Sequence, residues 1–315
     1  MQNILRNTPA AEQPYVVWIL FATLIGYVIA GLFLFSLLGY GVAVPFFGFD
    51  YDLMMKTLQN PYGSSDAKVP LLIFQGFSSL GAFVVAPVFF LRKHLKLHPL
   101  ELVTTPAPAF QPAVITIIAV LSCMVVNSAF IEWNQQMELP EFLSGFEQWA
   151  AQKEKQMEEL TLYLTEFDNL SQYLIAIVVI AILPAIGEEL LFRGIIQNIF
   201  QSTTKNPHLA IWVTAFLFSA FHLQFYGLIP RMMLGVLFGY LYWWSGYLSL
   251  AMLGHFVNNA FSVTVFYLSH HEIIEMSPED MDKTPPFYII LVFLLAGSAM
   301  LYLFHKYFSL RETHE

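Results

Sequence analysis

Apolar runs of about 20 residues recur along this chain, and each is long enough to cross a lipid bilayer as one helix. Polar connections with helix breakers, such as Asn60-Pro61 and Pro285-Pro286, separate the runs. Only 12% of the 315 residues are charged, whereas a soluble domain carries about 25%. The sequence therefore predicts an all-α, polytopic integral membrane helix bundle with about eight transmembrane helices. We expect these helices at residues 15–43, 70–91, 111–133, 170–201, 208–224, 229–245, 248–268 and 287–307.

The predicted bundle is one membrane domain that we divide into four regions. A cytoplasmic segment (1–14) precedes a three-helix membrane region (15–168), which includes a long outer connection. The core helices follow (169–270), and the last region (271–315) holds an outer loop, the last helix and a cytoplasmic tail. In the connection 134–169, apolar residues recur at three- and four-residue steps, which predicts an amphipathic helix. We favour a surface helix packed on the bundle over a substrate lid.

The distribution of charge predicts orientation and excludes one class of partner. Connections 45–69, 134–169 and 269–285 carry sixteen acidic residues against five lysines, and the opposite segments are richer in Lys and Arg. The positive-inside rule then places both termini in the cytoplasm, and we assign the chain to the inner membrane of a bacterium. A net charge of −9 without a large basic cluster argues against nucleic-acid binding. The single Cys123 excludes an intrachain disulfide and a cysteine-based metal site.

Two adjacent glutamates and an arginine end the fourth apolar run, in the sequence Gly187-Glu188-Glu189-Leu190-Leu191-Phe192-Arg193. Carboxylates at membrane depth are costly unless they are paired or face a polar cavity, so they mark a functional site. Glu189 and Arg193 are four residues apart, share a helix face and can pair. Glu188 lies about 100° round the helix from Glu189. We therefore predict that Glu189 is held by Arg193, whereas Glu188 is free for chemistry.

Further polar residues occur in the later apolar runs. His222 follows Phe218 by four residues, Asn259 follows His255 by four, and Arg231 opens the sixth predicted helix. A lone membrane histidine more often bonds two helices together, but two histidines, an asparagine and a free glutamate together indicate a shared polar site.

The depths of these residues agree in part. Counting about 1.5 Å per residue from the turn near Lys205 places Glu188 and His222 at one level. His255 joins them only if the fourth and fifth helices project beyond the bilayer on the inner side, or if the helix tilts differ.

The chemistry available to this set is hydrolysis. A desolvated Glu188 can act as a general base toward water. A histidine could steer that water, protonate the leaving amine or ligate zinc, and the Asn259 amide can stabilise an oxyanion. Two histidines and a glutamate also form a common zinc pattern, so Glu188, His222 and His255 are metal ligands if a metal is bound. The H-E-x-x-H helix is absent, which leaves open both one divalent ion such as zinc and a metal-free mechanism.

Three motifs stand in order along the chain: E-E-x-x-x-R at residues 188–193, F-x-x-x-H at 218–222 and H-x-x-x-N at 255–259. This ordered set resembles the CPBP superfamily of CAAX prenyl proteases, bacteriocin-processing enzymes and Abi-like proteins, which are intramembrane endopeptidases. The resemblance implies a membrane-embedded protease whose partner, besides the bilayer, is a membrane-associated peptide or protein substrate.

The resemblance also assigns roles at the site. Glu188 would activate water with help from His222, and His255 and Asn259 would stabilise the oxyanion or complete the site. Glu189 and Arg193 match the rest of the first motif. Both metal-dependent and glutamate-based mechanisms are described for the superfamily.

Two other functions remain open at this stage. A non-catalytic membrane scaffold, or a resistance or immunity protein, could retain the protease fold. A proton-coupled transporter would also use buried Glu and His residues, but the chain has no inverted repeat to support that reading.

Overall fold

The computed structural model describes residues 14–60, 67–99, 102, 109–275 and 283–312. These residues form helices and turns, and no strand occurs among them. The predicted cytoplasmic segment 1–14, apart from Pro14, lies outside the described residues. The main helices are α1 (Pro14–Ala43), α2 (Tyr51–Gln59), α3 (Lys68–Leu95), α4 (Phe110–Gln135), α5 (Ser144–Thr165), α6 (Leu170–Thr204), α7 (Pro207–Ala220), α8 (Leu228–Ser245), α9 (Leu248–His270) and α10 (Phe287–Glu312).

Six of these helices are long and apolar enough to span a membrane: α1, α3, α4, α6, α9 and α10. The predicted integral membrane bundle is confirmed, but the count of about eight spanning helices is not. Each of the eight predicted segments contains a helix, yet α7 has 14 residues, or about 21 Å against a hydrocarbon core of about 30 Å. Helix α8 has 18 residues and carries Arg231 in its first turn. Helix α2 was not predicted.

Helix α6 is the longest helix and lies at the centre of the bundle. Its 35 residues correspond to about 52 Å, and π-helical segments interrupt it at Ile177–Ile182 and Leu190–Gln197. In the most apolar part of α6 and of α9, 44% of residues are buried within the protein, against 11% in α1 and α10. Helices α6 and α9 therefore form the core, and α1 and α10 present most of their surface to the surroundings.

Glycines allow two close helix contacts near this core. A methyl group on Gly31 of α1 would overlap the carbonyl oxygen of Gly81 in α3, and the reverse holds as well. A methyl group on Gly187 of α6 would lie 2.7 Å from Cβ of Phe83 in α3. Such small-residue contacts let membrane helices approach backbone to backbone, and the second one sets α3 directly behind Glu188.

Helix α5 confirms the amphipathic helix predicted in the long connection. Its carboxyl-terminal end buries Tyr163 and Leu164 in an apolar cluster with Phe167 and Leu72. The Lys68 ammonium donates to the Glu166 carbonyl oxygen just beyond the helix. This end of α5 is therefore attached to α3.

Candidate active site

A cavity of about 420 Å³ opens between the core helices, and it brings most of the predicted polar residues together. Its lining includes Glu188 from α6, Arg231 from α8, and both His255 and Asn259 from α9. His222, from the turn after α7, completes this predicted set. Glu189 and Arg193 are fully buried behind the lining.

Glu189, Arg193 and His255 form what we call the closed cluster. One Nη of Arg193 donates to Glu189 Oε1 at 2.8 Å, which confirms the predicted pair. The other Nη donates to the Gly235 carbonyl oxygen of α8, also at 2.8 Å. His255 Nδ1 lies 2.8 Å from the same Glu189 oxygen, and a carboxylate oxygen can only accept. Glu189 therefore ties α6 to α9 through one oxygen while Arg193 ties α6 to α8.

Two phenylalanines enclose the closed cluster. The Arg193 guanidinium carbon lies 4.6 Å from the centre of the Phe218 ring and 5.6 Å from that of Phe238. The His255 ring stacks on Phe238, with centres 5.2 Å apart and planes 15° apart. The cation–π contacts orient the Arg193 guanidinium, and the stacking contact orients the His255 ring.

The π-helical segment of α6 contains Arg193, and the side chain of Asn198 satisfies carbonyl groups within it. Asn198 Nδ2 lies 2.9 Å from the Arg193 carbonyl oxygen and 3.1 Å from that of Gly194. It also lies 3.1 Å from the Tyr242 hydroxyl of α8. Single π turns are frequent at functional sites, and this one is stabilised by a side chain that the sequence did not single out.

Glu188 points away from Arg193 and into the cavity, as its helical position predicts. Its Oε2 lies 3.9 Å from His255 Nε2, which is too long for a direct hydrogen bond. Because His255 Nδ1 is engaged by Glu189, the ring presents Nε2 to Glu188. Glu189 therefore binds one nitrogen of the histidine, and Glu188 faces the other without a direct hydrogen bond.

His222 lies just beyond the end of α7 rather than within a helix that continues to residue 224, so that predicted boundary is wrong. Its Nδ1 donates to the Phe218 carbonyl oxygen at 2.9 Å. That contact folds the side chain back onto the end of α7, and Leu223 turns the chain with φ of +55°. Since the carbonyl can only accept, neutral His222 carries its proton on Nδ1 and presents an unprotonated Nε2. The spacing of F-x-x-x-H follows from this bond.

Asn259 lies in the cavity wall, one turn along α9 from His255. Its Nδ2 donates to the Ile180 carbonyl oxygen at 3.0 Å, within a π-helical segment of α6. Its Oδ1 accepts a hydrogen bond from Asn258 at 3.0 Å. A primary amide has two donor hydrogens, so one is engaged by Ile180 and the other is available for an oxyanion.

The three predicted metal ligands line the same cavity but are not gathered around one point. In the part of the chain that the structure describes, no group of three or more His, Cys, Asp or Glu side chains is close enough to hold a metal ion. A three-ligand zinc site does not fit Glu188, His222 and His255 as they are placed here. The metal-dependent alternative stays a prediction.

Polar residues that the motifs did not indicate also line the cavity, among them Gln75 from α3, Asn127 from α4 and Glu154 from α5. Gln75 and Asn127 interrupt apolar runs, which is a signal that could have identified them. Glu154 is one of several acidic residues on an amphipathic helix, and no pattern distinguishes it from the others. The presence of Glu154 shows that α5 reaches the cavity, in addition to packing on the bundle.

Comparison with known proteins agrees with the motifs. Residues 170–261 match the family model described as type II CAAX prenyl endopeptidase Rce1-like, a family of the CPBP superfamily. This match covers just under a third of the chain, contains the three motifs, and confirms the resemblance over that region. The apolar helices indicate an integral membrane protein, and residues 170–261 resemble the core of the CAAX-type intramembrane proteases.

Among curated proteins, the chain is 30% identical over 88 residues to the uncharacterized protein YpbD of Bacillus subtilis (strain 168). The alignment covers 27% of this chain and 42% of that relative, so the chain spans less than half of the relative's length. No solved structure matches the chain.

Proposed function

We propose that this chain is an intramembrane endopeptidase that hydrolyses a peptide bond of a membrane-associated protein or peptide. Processing of a CAAX-type carboxyl terminus or of a leader peptide would fit this activity. The observation that carries the proposal is the position of Glu188. Its carboxylate faces a cavity shared with His222, His255 and Asn259, whereas the neighbouring Glu189 is the one paired with Arg193.

In the first step Glu188 is the general base. It accepts a proton from a water molecule as the water oxygen attacks the carbonyl carbon of the scissile bond. The unprotonated Nε2 of His222 accepts the second hydrogen of that water and orients its lone pair. The carbonyl oxygen gains negative charge, and the available amide hydrogen of Asn259 stabilises it.

In the second step the tetrahedral intermediate collapses. The carbon–nitrogen bond breaks, and Glu188 returns the proton that it took from water to the leaving amine. The products are a new carboxyl terminus and a new amino terminus. The closed cluster keeps His255 oriented beside Glu188 throughout, because Glu189 holds the other ring nitrogen.

A comparison of peptide termini in cells carrying the wild type or Glu188→Gln tests this function. We expect new termini in membrane proteins that are present with the wild type and absent with the variant. Glu159→Gln, on the exposed part of α5, is the matched control and should keep those termini. Equal termini in all three strains at equal expression would overturn the proposal and favour a non-catalytic scaffold.

A further inference from the structure

The mechanism leaves one partly buried cation, Arg231, without a role. Arg231 lies in the first turn of α8 and lines both the candidate active-site cavity and a second cavity of about 740 Å³. Gln75, Ile180 and Asn259 also line both cavities, so the two share a boundary. The second cavity is lined mainly by apolar side chains of α3, α5 and α9. Arg231 therefore sits where a polar reaction cavity meets an apolar one.

Arg231 is bound by neutral groups only. One Nη donates to Gln224 Oε1 at 3.0 Å, and the other lies 3.4 Å from the Gly227 carbonyl oxygen. Among the described residues, no carboxylate lies within 4.0 Å of its guanidinium. A partly buried guanidinium has a strong preference for a carboxylate, which it can bind through two parallel hydrogen bonds.

A carboxylate does lie nearby, but a glutamine separates it from Arg231. Gln224 uses its oxygen for Arg231 and its Nε2 for Glu154 Oε1, at 3.1 Å. The second oxygen of Glu154 is buried and makes no hydrogen bond within the described part of the chain. Gln224 thus links Arg231 of α8 to Glu154 of α5, two residues that both line the cavity. No direct ion pair neutralises either charge.

We propose that Arg231 is a specificity-determining residue that binds a carboxylate of the peptide substrate. The negative charge of Glu154, which lies on the far side of Gln224, weakens this binding. The inference rests on the proposed function, because it assigns the substrate of the same cavity. Glu188 and Glu154 already place two acidic groups on the lining, so a monoanionic carboxylate is accommodated better than a dianionic phosphate. Apolar residues of the peptide would occupy the larger cavity.

The carboxylate has two sources in a peptide, its carboxyl terminus or an acidic side chain. Two matched pairs of probes distinguish them. Acetyl-Leu-Leu as the free acid is compared with its amide, and acetyl-Leu-Asp-Leu-amide is compared with acetyl-Leu-Asn-Leu-amide. Binding is measured by thermal unfolding of the purified full-length Glu188→Gln protein in detergent, so that no probe is cleaved and no activity is required.

We expect one acid probe to raise the unfolding midpoint by about 2–4 °C at about ten times its Kd, and its neutral partner to have less effect. Arg231→Gln should weaken binding of the acid about tenfold or more, the effect of losing a charge-assisted hydrogen bond. Arg231→Lys should restore part of it. Glu154→Gln should act in the opposite direction and tighten binding about threefold, because it removes a repulsive charge.

Arg92→Gln and Glu159→Gln are the matched controls, since both side chains are exposed and neither lines either of these two cavities. Equal stabilisation by acid and neutral probes would overturn the proposal, and so would an unchanged preference in Arg231→Gln. If Arg231→Gln does not fold, the opposite effects expected for Arg231→Lys and Glu154→Gln decide the question. The result is independent of cleavage, so a failure of the proposed function would appear only in the comparison of termini.

Discussion

His255 separates two polar regions that differ in whether their charged side chains are paired. Behind it lies the closed cluster, where Glu189 and Arg193 are fully buried and pair at 2.8 Å. Glu189 Oε2 and Arg193 Nε make no hydrogen bond among the described residues, but the two charges neutralise each other. In front of it lies the cavity, where Glu188, Arg231 and Glu154 share one lining without a direct ion pair among them.

The difference separates charges that support the fold from charges that await a ligand. Breaking a buried pair strands the remaining charge and destabilises the protein. Removing a charge that faces a cavity strands nothing, and it changes what the cavity binds or catalyses. Substitutions in the two regions should therefore divide cleanly between losses of stability and losses of activity.

The largest expected effect is on the cavity side. Glu188→Gln should lower the rate of cleavage by about 10²–10⁴-fold, the usual contribution of a general base. Its unfolding midpoint in detergent should stay within about 2 °C of the wild type, because the substitution leaves no buried charge without its partner. Turnover equal to the wild type on a substrate identified from the termini would show that Glu188 is not the base.

The next effect belongs to the closed cluster. Arg193→Ala should destabilise the protein by roughly 3–5 kcal/mol, because Glu189 is left as an uncompensated buried charge. Denaturant or thermal unfolding in detergent measures the loss, with Arg92→Ala as the exposed control. Replacing both charges, in Glu189→Gln with Arg193→Met, should recover part of the stability. Equal stability of Arg193→Ala and wild type would disprove a structural role for the pair.

A smaller effect tests how tightly α3 packs against α6 next to Glu188. Gly187→Ala places a methyl group 2.7 Å from Cβ of Phe83, so α3 and α6 must separate, at about 1–3 kcal/mol. Gly145→Ala on α5 meets no atom within 4 Å and should be neutral or stabilising by up to about 1 kcal/mol. Similar unfolding midpoints for the two variants would show that α3 and α6 can separate at this contact with little loss of stability.

The smallest effect concerns pH. Burial raises the pKa of the Glu154 carboxyl, an effect that Arg231, Gln224 and the Tyr226 backbone oppose and Glu158 reinforces. A carboxyl whose pKa is higher in the folded state binds a proton more readily there, so it adds stability below its unfolded pKa. That stability is lost as the pH rises through the folded pKa.

Because Glu154 is partly exposed and screened, we expect less than about 1 kcal/mol from this group. Unfolding midpoints measured from mildly acidic to neutral pH should fall less steeply in Glu154→Gln than in the wild type. Parallel pH profiles for the wild type and Glu154→Gln would contradict the raised pKa and would indicate that the Glu154 carboxyl is well solvated.

The closed cluster was predictable in part because its main pair is local. Glu189 and Arg193 are four residues apart on one helix, and that spacing alone brings their side chains together. The gathering of Glu188, His222 and His255 was predicted from the cost of placing such groups in an apolar bundle. The third partner of the closed cluster was not predicted, because no spacing in the sequence indicates that His255 binds Glu189 rather than Glu188.

The other failures share a tertiary cause. Helix α7 ends early because His222 binds the Phe218 carbonyl and Leu223 adopts a left-handed conformation, and no glycine or proline marks that turn. Glu154 reaches the cavity because the packing of α5 on α3 decides where its acidic face points. A periodic pattern predicts a helix, but it does not specify which turn of that helix meets the active site.

The length of α6 has a consequence for where a substrate is cut. Glu188 lies 18 residues from Leu170 and 16 from Thr204, near the middle of a rod about 52 Å long that exceeds the hydrocarbon thickness by roughly 20 Å. Lipid acyl-chain length then determines how much of each end is covered. We expect a thicker bilayer to shift a membrane-tethered substrate along α6, so that bilayer thickness determines which peptide bond lies beside Glu188.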